Sequence, residues 1–355
     1  MRRLLFLTAF ALALLRPDVS AQSLDLTVDG VGVSFGDSRR ITGVRFNYRD
    51  RRMERVDGVN VTLWTPYTPA KGTVNGIAVG VPLTGARRIN GLTVALGAAN
   101  ADERIAGIMV AGIGFGASED LVGVGVSGIG LGSGRDVKGL MIGGFGIGSG
   151  RNLSGVMAAA FGIGSGRNLS GVFVGGFGVG AGGDVKGLVI GGLGVGAGGA
   201  FRGIGIGGLG VGAGGNATGL FLGGLGVGAG GDLTGIAVGG LGVGAGGTLR
   251  GLGIGGLGTG GGAVEGILIS GVAAGGGDVT GLALAPAYFT VGPEGVFKGF
   301  SVSAFNRIRG EQHGLTIGLL NFAQHLNGVQ IGLLNFAGNN RKGLRWLPFV
   351  NAHFD

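Results

Sequence analysis

The apolar positions of this chain repeat with a period of sixteen residues through most of its length. Two units typify the pattern, GLVIGGLGVGAGGAFR from Gly187 and GLFLGGLGVGAGGDLT from Gly219. The glycine that opens each unit recurs through ten successive steps of sixteen between Gly91 and Gly251. A fixed period of this kind is typical of repeat architectures, in which each unit packs only on its neighbours.

Alternation within a unit predicts two short strands joined by a corner. Leu188 and Ile190 lie two residues apart and are expected to share one side of a strand, and Leu193 and Val195 one side of the next strand. The step of three between Ile190 and Leu193 would send the two pairs to opposite faces of a straight strand. A single core therefore requires a turn at the glycine pair between them, where glycine reaches backbone angles closed to other residues.

Stacked coils of about 15 to 16 residues predict an all-β fold, an elongated single-domain β-solenoid with irregular capping coils. The alternative is an outer-membrane β-barrel with one strand per unit, because about twelve apolar residues between polar turns would span a bilayer. The odd step disfavours the barrel, since both sides of such a strand would be partly apolar and no polar lumen would remain.

Changes in composition predict four segments. Residues 1–21 have the basic start, short apolar run and small-residue cleavage site of a secretory signal peptide. Residues 22–75 are predicted to form an N-terminal cap with irregular first coils, 76–298 a glycine-rich solenoid body, and 299–355 the C-terminal coils and their cap. The arginines between positions 39 and 55 are interpreted as a solvated cap face rather than as an anion- or lipid-binding patch.

One position in each unit is expected to point outward and to be apolar, where polar residues would be usual on a solvated surface. This predicted stripe is a candidate site for self-association or for contact with another envelope protein or lipid. Coverage by neighbouring coils or by the caps is the alternative. The stripe comprises Met141, Met157, Phe173, Val189, Phe221 and Leu268.

Asparagines recur at equivalent places in the C-terminal coils. A stack of asparagine side chains, each amide bonded to the next, ties successive layers together. We therefore predict a structural asparagine stack rather than a binding site. Its members are Asn306, Asn321, Asn335 and Asn351.

Amino-acid composition excludes two other classes of glycine-rich protein. Of 355 residues, 91 are glycine, 45% are apolar and only 13% are charged, which excludes collagen and a disordered linker. The chain has no cysteine, so stacking without disulfides must stabilise it. A net charge of +8 permits contact with anionic surfaces but does not require nucleic acid, and no nucleic-acid partner is predicted.

No catalytic, cofactor-binding or metal-binding residues are predicted. His313, His325 and His353 lack the ligand spacing of a metal site and are expected at solvent-facing corners. The GGD sequences at Asp184 and Asp232 suggest a calcium-binding repeat, but the period is sixteen rather than nine. No small-molecule substrate is evident. The prediction is a non-enzymatic protein, with a hydrolase on a β-helical scaffold as a less favoured alternative.

Two parts of the chain resemble a family of exported bacterial surface-repeat proteins. They are the segment GLTIGLLNFAQHLNGVQIGLLNFAGNN near the C-terminus and the body with its repeated GGLGVGAGG. The resemblance implies a location in the periplasm, in the outer membrane or on the cell surface. It implies no activity and assigns no functional residue. The sequence therefore predicts a structural or interaction protein of the bacterial cell envelope, with an integral outer-membrane barrel as the alternative.

Overall fold

The computed structural model describes residues 23–354, and this range consists of β-strands, their connections and one short 3-10 turn. The predicted signal peptide, residues 1–21, lies outside the described residues. Contacts divide the chain into two compact units, Met1–Gly134 and Arg135–Asp355. The division falls inside the predicted solenoid body.

The first unit contains ten of the described strands. The strands β1 and β2 form an antiparallel pair, and from β2 onward successive coils of this unit pair in parallel. In chain order they are β1 (Leu24–Val28), β2 (Val31–Phe35), β3 (Arg40–Asn47), β4 (Arg55–Thr62), β5 (Thr73–Gly80), β6 (Thr84–Ala95), β7 (Ala98–Ala111), β8 (Gly114–Ala117), β9 (Asp120–Ser127) and β10 (Gly130–Ser133).

The second unit contains the remaining described strands and the 3-10 turn Lys342–Leu344. Its coils pair in parallel, and only β30 runs antiparallel, to β29. The strands are β11 (Asp136–Gly143), β12 (Gly146–Ser149), β13 (Asn152–Ala159), β14 (Gly162–Ser165), β15 (Asn168–Gly175), β16 (Gly178–Ala181), β17 (Val185–Gly191), β18 (Gly194–Ala197), β19 (Phe201–Gly207), β20 (Gly210–Ala213), β21 (Ala217–Gly223), β22 (Gly226–Ala229), β23 (Leu233–Gly239), β24 (Gly242–Gly255), β25 (Gly258–Ser270), β26 (Ala273–Leu284), β27 (Tyr288–Val291), β28 (Val296–Val302), β29 (Phe305–Ala337) and β30 (Trp346–His353).

The fold is the predicted all-β solenoid, with about 17 turns in the described residues. From β11 to β24 the paired residues of successive coils are sixteen positions apart, as Val185 and Phe201 are, and the step shortens to fifteen between β24 and β25. The barrel alternative is wrong, because barrel strands of that type would run antiparallel to their neighbours, whereas these coils are parallel.

The anchor glycine of each unit explains why the period is so strict. Gly187 has a φ of 121°, a backbone conformation that side chains disfavour. A Cβ built on this glycine would overlap the carbonyl oxygen of Gly171 in the preceding coil. The same overlap occurs between Gly203 and Gly187, so consecutive coils approach too closely here for any side chain.

The core contains a different set of side chains from the one that the odd-step argument predicted. Val185, Val189 and Val195 are 1%, 0% and 4% exposed, whereas Leu193 is 46% exposed. The bend after Gly191 is present, but it interrupts the inward alternation, because Val189 and Gly191 before it and Val195 after it are buried, whereas the residue at position 193 is not. Leu193 lies at the bend itself and points outward.

The prediction of an outward stripe is therefore wrong: this column of side chains is the core. Its physical origin is the alternation along the longer strand of each coil, where Val189 and Gly191 lie on the inner side and Leu188 and Ile190 on the outer side. Each side chain of the predicted stripe is at most 1% exposed, namely Met141, Met157, Phe173, Val189, Phe221 and Leu268.

Large and small core side chains compensate for one another in successive coils. Phe201 is followed by Gly205 in one coil, and Ala217 by Phe221 in the next. A Cβ on Gly205 would lie 2.9 Å from the Phe201 ring, so that ring already fills the space. The two phenylalanine rings meet edge to face, with centroids 5.0 Å apart. Such size complementarity is typical of a close-packed interior.

Aspartate substitutions distinguish the two possible core sets. Val189→Asp and Val195→Asp each bury an unpaired charge and should destabilise the second unit by several kcal/mol or prevent folding. Leu193→Asp should change the free energy of unfolding by only about 1 kcal/mol, because its side chain is already half exposed. Urea unfolding followed by circular dichroism measures all three. A severe loss for Leu193→Asp with a mild effect for Val189→Asp would restore the original assignment.

Candidate interaction surface

The second unit carries an apolar outer surface in three adjacent columns, two on the longer strand of each coil and one at the bend that follows. We call these columns together the outer apolar surface. None of its side chains is buried in the core. The nine coils contribute Leu140, Ile142, Phe145; Val156, Ala158, Phe161; Val172, Val174, Phe177; Leu188, Ile190, Leu193; Ile204, Ile206, Leu209; Leu220, Leu222, Leu225; Ile236, Val238, Leu241; Leu252, Ile254, Leu257; and Ile267, Ile269, Val272.

The outer apolar surface is larger than the patches usual on soluble proteins. Nine layers about 4.8 Å apart, crossed by five residue steps of about 3.3 Å, cover roughly 700 Å². The largest apolar patch on a typical monomer covers about 300–600 Å² and is often functional. Every one of the positions is occupied by Leu, Ile, Val, Ala or Phe, so no charge interrupts the surface.

Stacking extends to the aromatic side chains of the bend column. The rings of Phe145 and Phe161 are stacked with centroids 4.7 Å apart, and those of Phe161 and Phe177 with centroids 4.8 Å apart. Even so, Phe145, Phe161 and Phe177 remain 54%, 46% and 51% exposed. The three rings are therefore ordered by packing on one another, while about half of each side chain stays exposed.

The shorter strand of each body coil presents glycine on its outer side. A Cβ built on Gly196, Gly212 or Gly228 would meet no other atom within 4 Å. This part of the surface is bare backbone, and it allows close approach of another surface.

The first unit has exposed apolar residues at the corresponding positions. Ile113 and Ile129 occupy its bends and are 52% and 51% exposed. On its strands, Ile108 and Val110 are 55% and 45% exposed. The apolar character of the outer side is therefore a property of the repeat itself.

A second turn follows the shorter strand of each coil and carries polar residues; we call it the polar corner. Aspartate and asparagine side chains at this corner connect successive coils. Asp184 accepts a hydrogen bond from the backbone N–H of Ala200 at 2.9 Å, and Asp232 accepts one from Thr248 at 2.8 Å. Asn216 accepts the equivalent bond from the N–H of Asp232 at 3.0 Å. The recurring GGD thus has a structural role, in which either residue type supplies the acceptor oxygen.

The Asp232 carboxylate is stabilised in its ionised form. Its pKa lies below the usual value because of the hydrogen bond from Thr248 N–H, followed by the hydrogen bond from Arg250. A lowered pKa in the folded state contributes stability above the unfolded-state pKa, near 3.8, and that stability is lost as the pH falls through the folded value.

Substitution at this corner tests the carboxylate. Asp232→Asn keeps an acceptor for Thr248 N–H and should reduce the loss of stability as the pH falls below about 3.8, because the group no longer titrates. Asp232→Ala removes the acceptor and should lower stability at neutral pH as well, because the hydrogen bond from Thr248 N–H is lost. Thermal unfolding across this pH range measures both. Identical acid sensitivity in wild type and Asp232→Asn would contradict the assignment.

The predicted asparagine stack is present in the C-terminal coils of the second unit. The side-chain amide of Asn306 donates to the side-chain oxygen of Asn321 at 2.7 Å, and Asn321 donates to Asn335 at 2.7 Å. Asn351 differs, since it lies on the antiparallel strand β30 and donates to the backbone oxygen of Asn335 at 3.4 Å. All four side chains are buried.

A buried charge cluster lies in the first unit, and the sequence analysis missed it. Arg45 is fully buried and pairs with Asp50 at 2.5 Å and Asp37 at 3.2 Å. It also donates to Asn60 at 2.9 Å. Arg45 lies two residues after its anchor glycine, Gly43, which is an inward position of the coil. The prediction of a solvated cap face is therefore wrong for Arg45, because the sequence analysis assigned this column to the outside of the coil.

Replacing the Arg45 side chain should show how much its ion pairs contribute to the stability of the first unit. Arg45→Met leaves the carboxylates of Asp37 and Asp50 buried without their partner, and should destabilise the first unit by about 3–5 kcal/mol. The triple variant Arg45→Met, Asp37→Asn, Asp50→Asn should recover much of this loss. Unfolding measured by calorimetry compares them. Equal stability of wild type and Arg45→Met would show that the ion pairs do not stabilise the unit.

Each unit also has a polar depression among its described residues. In the first unit, Arg39 and Arg40 both pair with Glu54, at 3.2 Å and 2.7 Å, beside Lys71 and Arg87. In the second unit, a depression is lined by Glu311, Asn339 and all three histidines, His313, His325 and His353. Between residues 23 and 354, no group of His, Cys, Asp and Glu side chains is arranged to hold a metal ion.

No helix in the part of the chain that the structure describes is long and apolar enough to cross a membrane.

Comparison with known protein families gave no match for this chain, and comparisons with curated proteins and with solved structures gave none either.

Proposed function

We propose that this protein is a non-enzymatic structural or interaction protein of the bacterial cell envelope, and that the outer apolar surface is where it binds its partner. One observation carries the proposal: the surface is uninterrupted by charge over nine coils. Exposed apolar surface of this extent is unfavourable in water and is typical of interaction sites.

The periodic scaffold supports an interaction role. Repeat proteins present side chains at fixed spacing over long surfaces, and those surfaces commonly bind partners. Here the anchor glycines hold the coils in strict register, so the apolar columns are straight and evenly spaced. The polar corner, with its Asp and Asn ladder, leaves the apolar columns free of charge.

The envelope location rests on the sequence. The apolar run from Leu4 to Leu15 and the small-residue site ending at Ala21 have the form of an export signal. An exported repeat protein without cysteine fits an envelope component that is stabilised by coil stacking alone. The resemblance to exported surface-repeat proteins supports the same location.

Fractionation of cells that produce the full chain tests this proposal. We expect a mature N-terminus near Gln22 and recovery in the envelope fraction. The double variant Leu209→Asp, Leu225→Asp should shift at least about half of the protein to the soluble periplasmic fraction, because two charges interrupt the apolar surface. Thr218→Asp is the matched control, since it places a charge at an exposed polar position of β21, the longer strand that precedes Leu225.

Two outcomes would contradict the proposal. Retention of residues 1–21 with accumulation in the cytoplasm would exclude the envelope location. Equal distribution of the double variant and Thr218→Asp would exclude the outer apolar surface as the binding site.

A further inference from the structure

We infer that the occupant of the outer apolar surface is a second copy of this chain, packed face to face about a two-fold axis with the two stacks running in opposite directions. This inference rests on the proposed function, because it names the partner of the same surface. Three features of the second unit lead to it: the area, the period and the gradient of side-chain size along the bend column.

The area is sufficient for a stable pair. The roughly 700 Å² derived from nine layers approaches the ~800 Å² that each partner contributes to a standard protein interface. Further exposed leucines extend the surface toward the C-terminus, where Leu319 and Leu333 are 59% and 64% exposed. A surface without charge requires an apolar partner, and a second copy supplies one of identical extent.

The period favours a copy over a fluid lipid surface. Side-chain rows repeat every coil in unbroken register from β11 to β24, so a second stack has the same row spacing and its rows can interdigitate along the whole length. Lipid imposes no such spacing. Surfaces at a lipid interface are typically edged by Trp and Tyr, and none of the nine coils has either residue in the three columns.

Side-chain size along the bend column sets the direction of packing. The first three coils carry Phe145, Phe161 and Phe177, and the last coil carries Val272. A two-fold axis that crosses the stack at the middle coil, that of Leu209, brings the large end of one column against the small end of the other. Packing in the same direction would place ring against ring at one end and leave gaps at the other. Closed two-fold pairs are also the commonest symmetry of soluble oligomers.

The mass of the purified mature chain in solution tests the pairing. At about 10 µM, above the dissociation constants usual for interfaces of this area, wild type and Thr218→Asp should have twice the mass of the chain. The double variant Leu209→Asp, Leu225→Asp should have the mass of one chain, with its dissociation constant raised at least about 100-fold. A monomeric wild type, a double variant that stays dimeric, or species larger than dimers would each overturn the inference.

Cysteine cross-linking tests the direction, and the chain offers a background without native cysteine. Leu209→Cys alone should cross-link to its own counterpart with a short thiol-reactive linker, because it lies near the axis. Phe161→Cys should cross-link efficiently only when mixed with Leu257→Cys. A dimer in which Leu209→Cys fails to cross-link would overturn the antiparallel arrangement.

A further comparison separates this inference from the proposed function. If wild type is monomeric but its envelope retention still depends on Leu209 and Leu225, the interaction role survives and the second copy is excluded. Vesicles of phosphatidylethanolamine and phosphatidylglycerol test lipid as the occupant. Binding of monomeric wild type to these vesicles, lost in the double variant, would replace the second copy by lipid.

Discussion

The close approach of consecutive coils at the anchor glycines is the constraint on which the rest of the structure depends. At Gly187 the φ of 121° and the overlap of any Cβ with the backbone of Gly171 exclude every other residue type. Since each coil must place a glycine directly over the last, the coils stay in register and equivalent side chains form columns. The core, the polar ladder and the outer apolar surface are all consequences of this alignment.

Columns of identical apolar side chains have one weakness, because a slip by a whole coil would exchange one apolar residue for another at little cost. Polar members of the core reduce this ambiguity. In the first unit Arg45 is held by Asp37 and Asp50, and in the second unit Gln330 donates to Gln312 at 3.1 Å. A shifted register would leave such groups buried without partners, which is costly at low dielectric.

The same alignment explains why an apolar outer side persists in a protein with few charges. The outer columns of the second unit are as regular as the core columns, and their side chains are Leu, Ile, Val and Phe rather than the Thr, Lys and Glu usual on a solvated strand. Val189 and its neighbour Ile190 show the difference in environment: the first is fully buried, whereas the second lies at the surface. Both faces of one strand are therefore apolar, one for folding and one for the proposed partner.

The sequence alone determined the solenoid, because the period of sixteen and the position of the anchor glycine depend only on local backbone requirements. It also predicted the stacking of Asn306, Asn321 and Asn335, since equal spacing in stacked coils brings equal residues together. It did not determine which apolar column faces inward. Both Val189 and Leu193 are apolar and both adjoin the bend, so hydrophobicity could not separate them. The tertiary structure separates them, because the longer strand turns Val189 to its inner side and the bend that follows interrupts the alternation and leaves Leu193 outside.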